Sequence, residues 1–212
     1  MKQSDLSVLA VIPARGGSKG LPRKNLLKLH GKSLVQHAIS AADRSPMITN
    51  IVISSDSSEI LSDADKSICS KSLFMLKRPD FLSTDEATDS PVLKHALQES
   101  ELHFDKKFDI IVMLQPTSPL RMSFDIQQCI DQICIDSHTS SWTVSKVPHN
   151  FNYRKQFFLN DQNQLMDCSF EGHILRRQNL RQTYIRNGLC YAFTKEVVTQ
   201  DEHLRGASWS GV

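Results

Sequence analysis

Residues 8–25 read VLAVIPARGGSKGLPRKN. The apolar run Val8 to Ile12 has the length and continuity of a strand covered on both faces, and it feeds at once into a loop of glycines and cations. In an open α/β sheet, ligands bind beyond the carboxyl ends of the strands, so a long loop at this point marks where a site should lie. Gly16, Gly17 and Gly20 allow close backbone approach and let successive N–H groups turn towards an anion. Arg15, Lys19, Arg23 and Lys24 supply charge, and no Asp or Glu occurs between Asp5 and Asp43. That local excess of cations suits a polyphosphate better than a single carboxylate. A flexible glycine turn with solvated basic residues is the alternative, and composition alone does not choose between the two. Two known phosphate motifs are excluded. The GKS at Gly31 to Ser33 has Leu26 where a Walker A loop needs its first glycine, and Arg15 stands where GxGxxG would begin.

Outward from this loop, apolar β-type runs alternate with segments of helical spacing, as in a sheet with helices on its faces. Ile51–Ser54, Ile110–Leu114, Ser141–Val147 and Leu189–Phe193 read as further strands. Leu34–Arg44, Ser58–Lys66, Pro91–Leu102 and Phe124–Ile135 read as helices, with Leu34, Ala38 and Ala41, or Ile126, Ile130 and Ile133, spaced for one buried face. From about Pro148 the texture changes to Phe, Tyr, Asn and Gln without clear period, which predicts a hairpin or arm outside the sheet. The 212 residues suit one principal α/β domain with a small appendage.

Bulk composition narrows the function. Lys and Arg total 25 against 23 Asp and Glu, a net charge of +2. No whole-surface field draws such a chain to nucleic acid or membrane, so neither partner is expected and anion recognition must be local. Cys69, Cys129, Cys134, Cys168 and Cys190 are odd in number and include no CxxC pair, which argues against a disulfide framework or a zinc site. No stretch approaches the ~20 apolar residues of a membrane span, and the expected location is cytoplasmic. His37, His95 and His103 have no ligand spacing and read as helix-surface or packing residues.

IPARGGSKGLPRKN closely resembles the signature loop of the acylneuraminate cytidylyltransferase family, which includes CMP-sialic, CMP-legionaminic and CMP-pseudaminic acid synthetases. Further segments match in the same chain order: ISSD at Ile53 to Asp56, RPDFLSTD at Arg78 to Asp85, LQPTSPLR at Leu114 to Arg121, and RRQ followed by YIRNG between Arg176 and Gly188. The resemblance runs from about Val8 to Phe193. It implies a three-layer α/β/α sandwich of the nucleotide-diphospho-sugar transferase kind, with a mostly parallel mixed sheet and a dimerisation arm at about 148–182 in a homodimer. It implies a reaction as well. The anomeric hydroxyl of a nonulosonic, sialic-type sugar acid attacks the α-phosphorus of CTP, and pyrophosphate leaves.

Residue by residue, the resemblance implies that Arg15 and Lys19 bind the nucleotide phosphates with help from Lys24, all three serving catalysis, and that Asn25 holds the ribose. Arg78 would lie near the cytosine, and Ala87 to Asp89 would line the base. Gln115 and Arg121 look like sugar-side residues, and Arg177, Gln178, Tyr184 and Asn187 resemble the set around the sugar ring and its carboxylate. An arginine fork suits that last task because it can pair both carboxylate oxygens. Other readings of several of these remain open: Arg121 as a tie for the proline turn, Tyr184 as packing, Asp56 and Asp85 as turn-stabilising acids. The aromatic group Phe151, Tyr153, Phe157 and Phe158 either covers another surface or packs within the chain's own core.

Two departures temper the match. Family members carry an Asp-x-Asp pair after the NG strand that binds catalytic Mg2+, and the residues following Gly188 hold none; Asp201 and Glu202 are adjacent and do not replace it. Arg181 stands where many relatives have proline. The expectation is that the C-terminal metal-binding segment is absent, that the metal ligands are unassigned, and that turnover is weak. Two alternatives to the transferase stay open: a nucleotide- or sugar-binding relative without turnover, and a CMP-Kdo synthetase-like enzyme.

Overall fold

The computed structural model describes residues 6–17, 20–168, 178 and 180–212. Lys19 and Arg177, expected at the phosphates and the sugar, lie outside the described residues. In chain order the elements are β1 Val8–Pro13, β2 Lys28–Leu29, β3 Lys32–Ser33, α1 Leu34–Asp43, β4 Asn50–Ser55, α2 Ser58–Asp65, β5 Ser72–Lys77 and α3 Asp89–Phe104. Then follow β6 Ile110–Met113, α4 Ser123–Cys134, β7 Ser140–Lys146, β8 Phe157–Leu159, β9 Leu165–Asp167, β10 Tyr184–Thr194, α5 Lys195–Gln200 and β11 Trp209–Gly211. They form a seven-stranded sheet in the order β11-β7-β10-β6-β1-β4-β5, with β2-β3 and β8-β9 as separate two-stranded ribbons. β1 runs parallel to β4 and β6, β4 parallel to β5, and β10 antiparallel to β6. A mixed, mostly parallel sheet with helices on both faces is thus what the chain builds.

Period-two alternation within apolar strands explains the three layers. Val8, Ala10 and Ile12 of β1, Ile51 and Ile53 of β4, and Ile110 and Val112 of β6 face α1, α2 and α4. Leu9 and Val11, Val52, and Ile111 and Met113 face the opposite way, against α3 and α5. On α1 the buried residues are Val35, Ala38, Ile39, Ala41 and Ala42, a stripe rotated slightly from the one drawn through Leu34. The GKS that fails as a Walker loop has a local purpose. Ser33 is the N-cap of α1: its Oγ accepts from Gln36 N–H, and Gln36 Oε1 accepts from Ser33 N–H, each at 3.1 Å.

The chain divides into two compact units: residues 1–143 with 188–212, and Val144–Asn187. The second unit contains the β8-β9 hairpin, in which Phe158 opposes Met166 and Leu159 opposes Leu165. Phe151, Tyr153, Phe157 and Phe158 are all exposed, so packing into the chain's own core is not their arrangement. No helix among the described residues is long and apolar enough to cross a membrane.

After α5, Asp201 closes a turn by accepting from the backbone N–H groups of His203, Arg205 and Gly206. Those bonds hold its carboxyl below the usual range. Gly206 has φ +69°, and a Cβ there would lie 2.3 Å from Thr139 Oγ1 and 2.6 Å from Val197 Cγ2. Gly206→Ala should therefore destabilise by roughly 2–4 kcal/mol, combining overpacking with left-handed strain, as read from urea unfolding.

Candidate active site

A cavity of about 380 Å³ opens beyond the carboxyl ends of the parallel strands, where sheet topology places ligands. Pro13 and Arg15 reach it from the end of β1, Lys24 and Asn25 from the following loop, Arg78 from the end of β5, Ala87 and Asp89 from the segment entering α3, and Gln115 from the end of β6. Residues up to 102 positions apart are thereby brought to one wall, because three crossover connections end at the same sheet edge. Of the residues singled out from sequence, Arg15, Lys24, Asn25, Arg78, Ala87, Asp89 and Gln115 line this cavity.

The glycine-rich loop is held in place from two sides. Gly16 N–H donates to Asp56 Oδ1 at 2.8 Å, and Asn25 Nδ2 donates to the carbonyl of Arg15 at 2.9 Å. Ala14 N–H continues the strand pairing by donating to Ser54 O at 2.9 Å. A Cβ on Gly16 would sit 3.0 Å from Ser57 Cβ, so the close approach to the end of β4 uses the glycine. Asp56 thus anchors the loop, the turn-stabilising alternative raised from sequence. Not every cation of the loop serves the cavity: Arg23, in left-handed conformation at φ 54°, pairs with Glu59 on α2.

Two buried arginines flank the site and differ in what surrounds them. Arg78 is 4% exposed; its Nε and Nη2 are buried without a hydrogen-bond partner among the described residues, and Nη2 lies 3.9 Å from Asp56 Oδ1. Burial pulls its pKa down, opposed by the charges of Asp56 and Asp89 and reinforced by Arg15. Arg121 is 3% exposed, but two of its three nitrogens are engaged: Nε donates to Leu189 O, and Nη2 to Gln115 O at 2.6 Å and Gly188 O at 3.4 Å. Its Nη1 is buried without a partner among the described residues, and burial lowers its pKa to about 10. Arg121 is not among the residues lining the cavity; it ties the turn after β6 to β10, behind Gln115. Ser118 Oγ adds a bond to Gly188 O at 2.9 Å, and Gly188, at φ +78°, leaves the space that Gln115 Oε1 occupies, 3.2 Å from where a Cβ would be.

Tyr184, Asn187 and Gln178 belong to the smaller unit. Tyr184 and Gln178 are exposed, and Asn187 Nδ2 donates to Ser145 Oγ at 3.2 Å. His37 and His103 have structural partners: His37 Nε2 lies 2.7 Å from Leu29 O, and His103 stacks on Phe74 with centroids 3.9 Å apart.

Magnesium takes hard oxygen ligands, commonly one or two carboxylates together with substrate phosphates. Among the described residues no three His, Cys, Asp or Glu side chains form a group that could hold a metal ion, and of the cavity carboxylates Asp85 and Asp89 the first is engaged by Arg15 at 2.7 Å. The described residues do not form a metal cage, and no step below is routed through a metal.

A loop of glycines and cations at the switch edge of a mixed α/β sheet, beside a pocket holding a buried arginine and an acid, defines a nucleotide-handling transferase fold. The chain belongs to the cytidylyltransferase family, whose model matches residues 9–203. It is 31% identical over 201 residues to post-translational flagellin modification protein B of Campylobacter coli, covering 94% of this chain and 82% of that protein. It is 34% identical over 200 residues to N-acylneuraminate cytidylyltransferase of Streptococcus agalactiae serotype V, covering 92% of this chain and 45% of that protein. The chain therefore spans less than half the length of the streptococcal relative. Among solved structures, CMP:2-keto-3-deoxy-manno-octonic acid synthetase complexed with CTP superposes with TM-score 0.65 at 18% identity, over 93% of this chain and 78% of that one. That likeness is one of fold.

Proposed function

We propose that the chain transfers CMP from CTP to the anomeric hydroxyl of a nonulosonic sugar acid and releases pyrophosphate. One observation carries this reading: a single cavity collects Arg15, Lys24, Asn25, Arg78, Asp89 and Gln115 at the carboxyl edge of the sheet in a chain of the cytidylyltransferase family. In this reading Arg15, Lys19 and Lys24 hold the phosphates, and Asn25 takes the ribose. Arg78, Ala87 and Asp89 wall the base. A buried donor beside an acid complements cytosine, which offers both an acceptor and an amino donor, and mismatches uracil. Gln115, Arg177, Gln178, Tyr184 and Asn187 are assigned to the sugar, with Arg121 acting behind Gln115.

In-line displacement at phosphorus depends chiefly on positioning and on offsetting charge at the transferring group and the leaving pyrophosphate. The basic loop supplies both without a covalent nucleophile. Magnesium, where used, would accompany the triphosphate as a Lewis acid. A homodimer is part of the proposal, supported by the exposed apolar side chains of the β8-β9 hairpin.

The test is incubation with CTP, Mg2+ and a panel of nonulosonic acids together with Kdo, measuring pyrophosphate and the CMP-sugar. Release that requires both CTP and a nine-carbon acid is the expected result. CTP binding without release under any condition would replace the transferase by a binding protein, and preference for Kdo would reassign the sugar.

A further inference from the structure

The cavity holds more than the cations that a triphosphate needs. Asp85 lies between β5 and α3, and its Oδ1 accepts from Arg15 Nη1 at 2.7 Å. Both residues line the same cavity. Their side chains are 39% and 43% exposed, so solvent and small anions reach the pair. Ion pairs this exposed contribute about 0–1 kcal/mol to stability, and the loop carrying Arg15 is already anchored by Asp56 and Asn25. The fold therefore does not depend on this contact. What the contact changes is the charge that an arriving phosphate meets, because a guanidinium already facing a carboxylate attracts a second anion less strongly.

The other carboxylates near the cavity are engaged differently. Asp56 accepts from Gly16 N–H and faces Arg78, and Asp89 acts electrostatically on Arg78. Asp85 meets Arg15 through both a hydrogen bond and an ion pair.

We propose that Asp85 stands in for a phosphate: it holds Arg15 while the site is empty, yields it to the nucleotide, and recaptures it as pyrophosphate leaves. The idea rests on reading the cavity as a CTP site. Only hydrogen bonds exchange, and no covalent step is involved. Holding Arg15 in the cavity keeps its fork from dispersing into solvent, which reduces the ordering that binding requires. Competing with the departing pyrophosphate shortens its stay, in a class of step that often limits turnover. Asp85 is on this account a positioning residue that acts through Arg15.

The experiment is calorimetric titration of inorganic pyrophosphate and of cytidine, without divalent metal, into the parent chain, Asp85→Asn, Asp85→Glu, Arg15→Gln and the Arg15→Gln/Asp85→Asn double variant. Asp85→Asn should bind pyrophosphate about 3- to 10-fold more tightly, with cytidine affinity unchanged. Asp85→Glu should return to the parent value, and the gain should vanish when Arg15 is glutamine. A carboxylate that merely supported its loop would move cytidine and pyrophosphate affinities together, which overturns the exchange. Pyrophosphate binding unchanged or weakened in Asp85→Asn, or a gain of equal size without Arg15, overturns it as well. Binding by the parent chain with no gain in the variant refutes the exchange alone, whereas pyrophosphate binding by none of the five proteins refutes the phosphate reading of the cavity along with it.

Discussion

Arg78→Met is expected to bind CTP about 10- to 100-fold more weakly than the parent chain and yet to unfold at no lower a urea concentration. The two halves of this result follow from one feature. Arg78 is buried at the cavity wall, but among the described residues its Nε and Nη2 make no hydrogen bond, and Nη2 lies 3.9 Å from Asp56 Oδ1. A buried cation with such loose partners adds little to folding, and an apolar side chain of similar length removes its desolvation cost. Nε and Nη2 are therefore available to a ligand, and hydrogen bonds from a charged group contribute about 1.5–3 kcal/mol each. Calorimetry with CTP and UTP, alongside urea unfolding, checks both halves. Loss of stability with unchanged affinity for CTP would show that Arg78 is a structural residue and remove it from the base wall.

How much of this was legible in the sequence depends on the range over which each feature is determined. The strands β1, β4 and β6 announce themselves because both faces are apolar, and the glycine-cation loop is visible because its conformational freedom and its charge are local properties. β5 is less legible: Ser72–Lys77 is the edge strand, its apolar run Leu73–Leu76 is only four residues long, and only Leu76 is buried. α5 and β11 were missed for their brevity, six and three residues. β10 begins five residues earlier than the apolar stretch Leu189–Phe193 predicts, since exposed Tyr184, Ile185 and Arg186 carry no burial signal. Within the site, residue types pointed to the cavity, but partnerships did not. Asp56 meets Gly16 across 40 positions, Asp85 meets Arg15 across 70, and Arg121 meets Leu189 across 68. No periodicity encodes such pairs. They follow from strands β1, β4, β5 and β6 ending side by side, at the edge where the antiparallel β10 enters the sheet.

The second large effect belongs to Arg121, and it should be of the opposite kind to that of Arg78. Arg121→Ala is expected to destabilise the fold by about 3–5 kcal/mol, because it takes the donor from the carbonyls of Gln115, Gly188 and Leu189 and leaves a cavity where a large buried side chain stood. Burial of the guanidinium is itself unfavourable, as its pKa of about 10 indicates, so the net loss is smaller than the sum of the bonds. Arg121→Lys should recover only part of it, since one ammonium cannot reproduce a planar fork that serves Gln115 with one nitrogen and Leu189 with another. Below its lowered unfolding midpoint, Arg121→Ala should still bind cytidine, because Arg78 and the base wall remain in place on the other side of β1. Sugar-dependent pyrophosphate release should fall, since the turn presenting Gln115 is no longer tied to β10. Urea unfolding of both variants, read beside cytidine calorimetry, distinguishes this from the sequence expectation of direct sugar contact. An Arg121→Ala chain with parental stability and a selective loss of sugar binding would restore Arg121 to the substrate surface and overturn its assignment as the tie beneath it.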